Sequence, residues 1–196
     1  MFKVPRSKIA AYVHRLTLRF MRKKDGSAAV EFSIVAMPFL ALLFAIMETS
    51  LVFFADQTLE SAVADSARLI MTGSAQTSGW SADQFKQQVC AKMNGGLFDC
   101  ANKLMIDVKS YANFNAITND PPPVTNGQLD ASKLTYDTGS PGTIEVVKFY
   151  YAWPIYVSLL GNNLSNLSGH NRMMIATAVF CNEPYSTQTP STSCHP

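Results

Sequence analysis

The chain has 196 residues, of which 47% are hydrophobic and 15% are charged, and its formal net charge is +2. This length leaves room for one membrane anchor and one domain of ordinary size. The sequence lacks G-x-S-x-G, a phosphate-binding glycine loop and H-E-x-x-H. An enzyme is therefore the weaker functional class, and no catalytic residue is predicted.

The basic residues are concentrated at the N-terminus. Eight of the 16 Lys and Arg residues precede Asp25, and the chain after residue 26 is net acidic. Within residues 7–24, apolar side chains recur every three or four positions among arginines, which predicts a basic helix on an anionic membrane surface. A mitochondrial presequence is the alternative, but the long apolar run that follows favours a membrane leader. The same proximity to that run argues against a nucleic-acid site, so no nucleic-acid partner is predicted.

An uncharged apolar run extends from Phe32 to Met47, and LVFFA continues it after Glu48 to Ala55. A helix over residues 28–55 would be about 42 Å long, which is enough to cross a bilayer. The core helix of a soluble protein is the alternative, but the run lacks a polar face. Because basic residues stay on the cytoplasmic side, we predict a cytoplasmic leader over 1–26, a transmembrane helix over 27–55 and an extracytoplasmic domain over 56–196.

All four cysteines lie in the predicted extracytoplasmic domain, where an oxidising compartment permits disulfides. Of the three possible pairings, we predict the one that closes two short loops. A metal site that includes His170 or His195 is the alternative, but the sequence lacks the C-x2-C spacing of zinc sites. No metal and no cofactor is therefore predicted. The predicted pairs are Cys90 with Cys100 and Cys181 with Cys194.

Helical periodicity continues beyond the span, with Leu59, Val63 and either Leu69 or Ile70 on one stripe. Ser81 and Gln84 form a capping-box pattern that predicts a second helix over 82–93. Alternating or β-branched residues predict three strands, and polar, proline-rich segments predict two long loops. The strands are predicted at 103–109, 143–151 and 173–181, and the loops at 113–142 and 158–171.

These elements predict an α+β fold. A single N-terminal transmembrane helix continues into a small extracytoplasmic domain with about three antiparallel strands.

The sequence RKKDGSAAVEF joins the basic leader to the apolar run. It resembles the prepilin-peptidase site of type IV pilins, where cleavage follows a glycine and the fifth mature residue is glutamate. The resemblance implies cleavage between Gly26 and Ser27, and an assembly role for Glu31 through the terminal amine of a neighbouring subunit. A residue without a side chain lets a membrane protease approach the backbone. The pair Glu31-Phe32 resembles the Flp pilins of the tight-adherence system.

The resemblance extends over about 45 residues to the TadE-like pseudopilins, through Pro38 and Glu48 in the span and Ala67-Arg68 beyond it. It implies a minor pilin or pseudopilin that takes part in assembly of an adhesive Flp-type pilus. The implied partners are the membrane, a prepilin peptidase, other pilin or pseudopilin subunits and the tight-adherence machinery. The implied location is the bacterial inner membrane, with a periplasmic C-terminal domain, and the pilus after assembly.

Three other interpretations stay open at this point. Glu31 could extend to lipid headgroups without any assembly role. Glu48, which lies about 31 Å along the helix from Ser27, is expected at the far membrane interface, and a buried partner is the less favoured alternative. The whole chain could also be an unprocessed bitopic protein whose periplasmic domain binds a secretion or pilus-assembly partner.

Overall fold

The computed structural model describes residues 26–93, 98–117, 121–156, 164–185 and 194. The chain divides into two compact units, Met1–Ile46 and Met47–Pro196. The predicted leader helix over 7–24 and the first part of the predicted loop 158–171 lie outside the described residues. The helices, numbered in chain order, are α1 (Ser27–Met71), α2 (Ser74–Thr77), α3 (Ala82–Lys92) and α4 (Cys100–Lys103). The strands are β1 (Leu104–Tyr111), β2 (Val124–Thr125), β3 (Gln128–Leu129), β4 (Ile144–Pro154) and β5 (Asn171–Cys181).

In the first unit, α1 is apolar and its side chains are exposed. Phe32, for example, is 73% exposed. The most apolar window of α1 has a mean hydropathy of 2.2, and none of that window is buried. A soluble core helix would bury such residues, so this surface suggests a membrane anchor.

In the second unit, α1 carries a stripe of buried residues that recurs about every three or four positions. This spacing keeps one face of a helix against a single partner surface. Leu59 and Val63 belong to the stripe as predicted, and Ile70 is fully buried whereas Leu69 is only half-buried. The stripe consists of Glu48, Val52, Ala55, Leu59, Ala62, Val63, Ser66, Ala67 and Ile70.

The main sheet is antiparallel, with strand order β1-β4-β5. Val108 pairs with Val147, and Phe149 pairs with Ala176. Side chains alternate across a strand, so every second residue of β4 from Val147 to Trp153 joins the core that also contains the buried stripe of α1. The predicted α+β class with three antiparallel strands is confirmed.

The capping box of α3 is present as predicted. The Ser81 hydroxyl accepts from the Gln84 backbone N–H at 3.3 Å, and the Gln84 side chain accepts from the Ser81 N–H at 2.9 Å. Cys90 near the end of α3 forms a disulfide with Cys100 at the start of α4. Cys181, the last residue of β5, forms a disulfide with Cys194. Both pairs are the local ones expected from the sequence.

The predicted exposed loop over 113–142 is wrong in two places. β2 and β3 form a hairpin around Asn126-Gly127, whose positive φ angles of 52° and 77° suit a two-residue turn. Farther on, Thr135 O accepts from Val108 N at 2.8 Å, and Asp137 N donates to Val108 O at 2.9 Å. The segment is therefore fixed to the outer edge of β1. The Asn-Gly pair was the sequence signal for the hairpin.

Candidate processing and assembly site

Gly26 lies directly before α1 and is exposed. A Cβ atom added at this position would meet no atom of the described residues within 4 Å. The Gly26–Ser27 peptide bond is therefore at an accessible helix start, where the first backbone N–H groups have no partners within the helix. A larger side chain at residue 26 would not disturb the packing of the described part of the chain.

Glu31 and Phe32 lie in the second turn of α1, and both are exposed. Residues four positions apart share a face of an α-helix, so Ser27 and Glu31 lie on the same face, one turn apart. A carboxylate near a helix N-terminus is also favoured by the helix dipole. If the chain were cut after Gly26, the new α-amino group would start on the face that carries Glu31. Phe32 presents its ring to the surroundings of the helix.

Glu48 has a buried position in the second unit. It is 7% exposed, and its Oε1 accepts the backbone N–H of Tyr156 at 2.5 Å. The buried partner, which was the less favoured expectation, is therefore present, and the position of Glu48 at the far membrane interface stays a prediction. A buried carboxylate requires such a donor because desolvation without one is costly. The sequence signal was its position one helical turn before Val52, at the start of the buried stripe.

A buried polar cluster in the second unit was missed by the sequence reasoning. Glu145, near the start of β4, is fully buried, and the side chains of Thr143 and Asn182 lie 2.7 Å and 3.4 Å from its Oε1. Asn182 and Gln76 both donate to Thr138 O, at 2.9 Å and 2.7 Å. The cluster thus connects α2, the segment before β4 and the residue after β5. Glu145 occupies a core-side position in the alternation of β4, which was the signal that could have identified it.

Burial raises the pKa of Glu145 to about 7, against the opposing hydrogen bonds of Thr143 and Ser110. The Thr143 hydroxyl has one hydrogen but two acceptors at 2.7 Å, Ser140 O and Glu145 Oε1. A protonated Glu145 resolves this conflict because it can donate to Thr143. Its Oε2 has no partner in the described part of the chain.

The described residues offer little for a metal or an exposed thiol. All four cysteines are in disulfides. No group of three or more His, Cys, Asp or Glu residues that could hold a metal ion occurs in the ranges that the structure describes. His170 takes part in the fold through its carbonyl, which accepts from Ile155 N at 2.8 Å.

Residues 26–68 match the family model described as TadE-like protein. The match covers less than a quarter of the chain, and within that range it consists of Gly26 and all but the last turn of α1. No curated protein and no solved structure matches the chain. The match confirms the resemblance of this segment to TadE-like proteins and implies involvement in a tight-adherence pilus system.

Proposed function

We propose that this TadE-like chain is a minor pilin or pseudopilin that takes part in assembly of a Flp-type, tight-adherence pilus and has no catalytic role. The observation that carries the proposal is where the family match begins. It starts at Gly26, the residue before the proposed cleavage bond, and continues along one helix that has Glu31 in its second turn. A bitopic protein with no processing step would not need a glycine at that boundary.

The basic leader sets the orientation of the precursor. Lys and Arg next to a span are retained in the cytoplasm, so the leader is cytoplasmic and the second unit is periplasmic in a bacterial inner membrane. This side of the membrane also suits the two disulfides. A prepilin peptidase then cuts between Gly26 and Ser27, where the backbone is accessible and free of a side chain.

Cleavage changes the chemistry of the helix start. It removes the basic leader and creates a positive α-amino group on Ser27, one turn from the Glu31 carboxylate. In an assembled pilus, Glu31 of one subunit pairs with this amine on a neighbouring subunit. The exposed apolar side chains of α1, Phe32 among them, exchange lipid contacts for contacts with neighbouring pilin helices. The tight-adherence machinery supplies those neighbours.

The decisive experiment is the intact mass of the protein purified from membranes of a cell with its own pilus system. A mature chain that begins at Ser27 supports the proposal, and the same cells without prepilin peptidase serve as the control. A chain that still begins at Met1 in both strains would favour the unprocessed bitopic alternative.

A further inference from the structure

The exposed surface of α1 changes character between Phe54 and Asp56. In the second unit, the exposed residues before this point include the large apolar residues Leu51, Phe53 and Phe54, at 48%, 69% and 62% exposed, which follow the exposed Thr49 and Ser50. The exposed residues after it are mostly polar and include Gln57 and Glu60. The buried stripe continues through this change without interruption. We infer that the exposed face has a different environment on the two sides of Phe54.

The length of the apolar surface fits a full bilayer rather than its hydrocarbon core alone. A helix over residues 28–54 is about 40 Å long, whereas the hydrocarbon core is about 30 Å thick and the bilayer with headgroups about 40–45 Å. The last turns of this surface, at Leu51 and Phe54, thus fall in the headgroup layer. In the second unit, however, α1 is already packed on the sheet from Glu48 onward.

The chain just after β4 is bound to the turn of α1 that precedes Leu51, through Tyr156 and Glu48. Tyr156 follows β4, is tied to Glu48 through its backbone N–H, and is 83% exposed. Its side chain lines a recess of about 410 Å³ together with Leu51 and Trp153. Lys103 and Asp99 line the same recess, so charged groups border the apolar ones. An aromatic ring with a hydroxyl and a lysine beside apolar residues are typical of a membrane interface.

We propose that the membrane-proximal end of the second unit is inserted into the headgroup layer of the bilayer. The contact is made by a basal collar, defined as Leu51, Phe53, Phe54 and Tyr156. The occupant is lipid because Leu51, Phe53 and Phe54 belong to the same candidate membrane-spanning helix as the apolar residues that precede them in sequence. The inference rests on the proposed function only for membrane anchoring, and it is independent of cleavage and pilus assembly.

The chain has two tryptophans, which provide a test and a matched control. Trp153 lines the recess at the collar. Trp80 follows the far end of α1, and the helix from Phe54 to Met71 is about 26 Å long. The full chain is reconstituted into phosphatidylcholine vesicles with or without brominated acyl chains, and vesicle flotation is measured on the same samples. We expect bromolipid to quench Trp153 emission in the Trp80→Phe variant several-fold more strongly than Trp80 emission in the Trp153→Phe variant.

Each outcome decides the matter. A chain that floats with Trp153 unquenched overturns the collar contact but leaves anchoring intact, and equal quenching of both tryptophans overturns a contact confined to this end. A chain that does not float overturns the anchoring and the contact together. If Trp153 is quenched only at a high lipid-to-protein ratio, a second copy of the chain covers the collar at lower ratios, and this outcome overturns the lipid contact. If Trp153→Phe does not fold, the wild-type chain replaces it, and its emission must be quenched less than that of Trp80→Phe.

A collar variant provides a second measurement. Tyr156→Ser removes the exposed ring and keeps the backbone N–H that binds Glu48, so the fold is retained and quenching of Trp153 should fall. Val179→Ser is the matched control because Val179 is exposed on β5 and lines neither the recess at the collar nor the one that Phe53 lines. Equal quenching in the two variants would contradict a role for the collar ring.

Discussion

The carboxylate of Glu48 accepts the backbone N–H of Tyr156 across 108 residues of sequence. It connects the first turn of α1 in the second unit to Tyr156, two residues after β4. The Glu48 side chain is buried, so the hydrogen bond compensates part of the cost of removing its carboxylate from water. The bond therefore fixes where the strand ends relative to the helix that it packs on.

We expect Glu48→Ala to destabilise the second unit by about 0.5–1.5 kcal/mol, the usual net contribution of an intramolecular hydrogen bond. Glu48→Gln keeps a side-chain oxygen and should lose less. Chemical denaturation of the full chain in detergent measures both free energies of unfolding. Glu60→Ala, at an exposed position of α1, is the control. Equal effects of Glu48→Ala and Glu60→Ala would show that the hydrogen bond contributes no stability.

The burial of Glu145 predicts that the free energy of unfolding depends on pH. Its pKa is raised from 4.5 to about 7 in the folded chain, so the folded state binds a proton more tightly than the unfolded state. The stabilisation is complete below pH 4.5 and is lost as the pH rises through 7. A shift of this size corresponds to about 3 kcal/mol. We expect the free energy of unfolding to fall by about that amount between pH 4.5 and pH 8.

The Glu145→Gln variant isolates this effect because its amide does not titrate in that range. We expect the variant to lose most of the decline in stability, whereas Glu183→Gln, at an exposed position near the end of β5, should keep it. Unfolding curves at matched ionic strength over that pH range provide the comparison. A Glu145→Gln profile that follows the wild-type profile would assign the pH dependence to other groups.

The two disulfides close loops with sequence separations of 10 and 13 residues. Removal of either bridge by paired Cys→Ala changes should cost about 2–4 kcal/mol because the unfolded chain gains conformational freedom. Denaturation of the Cys90→Ala/Cys100→Ala and Cys181→Ala/Cys194→Ala variants measures the loss. Non-reducing peptide mapping of the wild-type chain is the control. A peptide that joins Cys90 to Cys181 would contradict the pairing.

Features set by local chemistry could be predicted from the sequence. Ser81 and Gln84 identify the start of α3 because a capping box is formed within four residues. The residues around Val147 likewise identify β4, because successive side chains of a strand point to opposite faces of the sheet. The glycine and glutamate before the apolar run identified the segment that the TadE-like family model matches.

Features that depend on distant partners could not be predicted in this way. Glu48 looks like an interfacial carboxylate until Tyr156, 108 residues away, supplies its donor. The attachment of residues 135–137 to Val108 depends on an unpaired edge of β1, which no local pattern reveals. The burial of Glu145 was detectable from alternation, but its raised pKa requires the surrounding Thr143, Asn182 and Ser110 to be known.

Gly26→Val should block cleavage and leave a membrane-inserted precursor. A Cβ atom at residue 26 would meet none of the residues that the structure describes, so a block reports the requirement of the peptidase and not a disturbance of the described fold. Ala28→Val adds bulk two residues later at an exposed position and is the matched control, which should be cleaved. Intact mass of both proteins from the same membranes decides the result. Normal cleavage of Gly26→Val would remove Gly26 from the proposed site.

The Glu31→Gln variant separates membrane anchoring from pilus assembly. In the proposed pilus, Glu31 pairs with the α-amino group of a neighbouring Ser27. Glu31→Gln removes this charge and leaves the leader, Gly26 and the apolar run unchanged, so insertion and cleavage should be normal. Pilus assembly should fail or weaken, because the α-amino group of the neighbouring subunit then has no carboxylate partner near an apolar region, where an unpaired charge is costly.

A Glu31 with no assembly role predicts the opposite effect of Glu31→Gln. If Glu31 only extends to lipid headgroups, an amide is easier to bury than a carboxylate, and Glu31→Gln should be neutral or mildly stabilising. Glu60→Gln, outside the apolar segment of the same helix, is the matched control and should form normal pili. The measurement is pilus formation by electron microscopy in each strain, with the mature mass determined from the same cells. Normal piliation of a correctly cleaved Glu31→Gln chain would show that the carboxylate has no role in assembly.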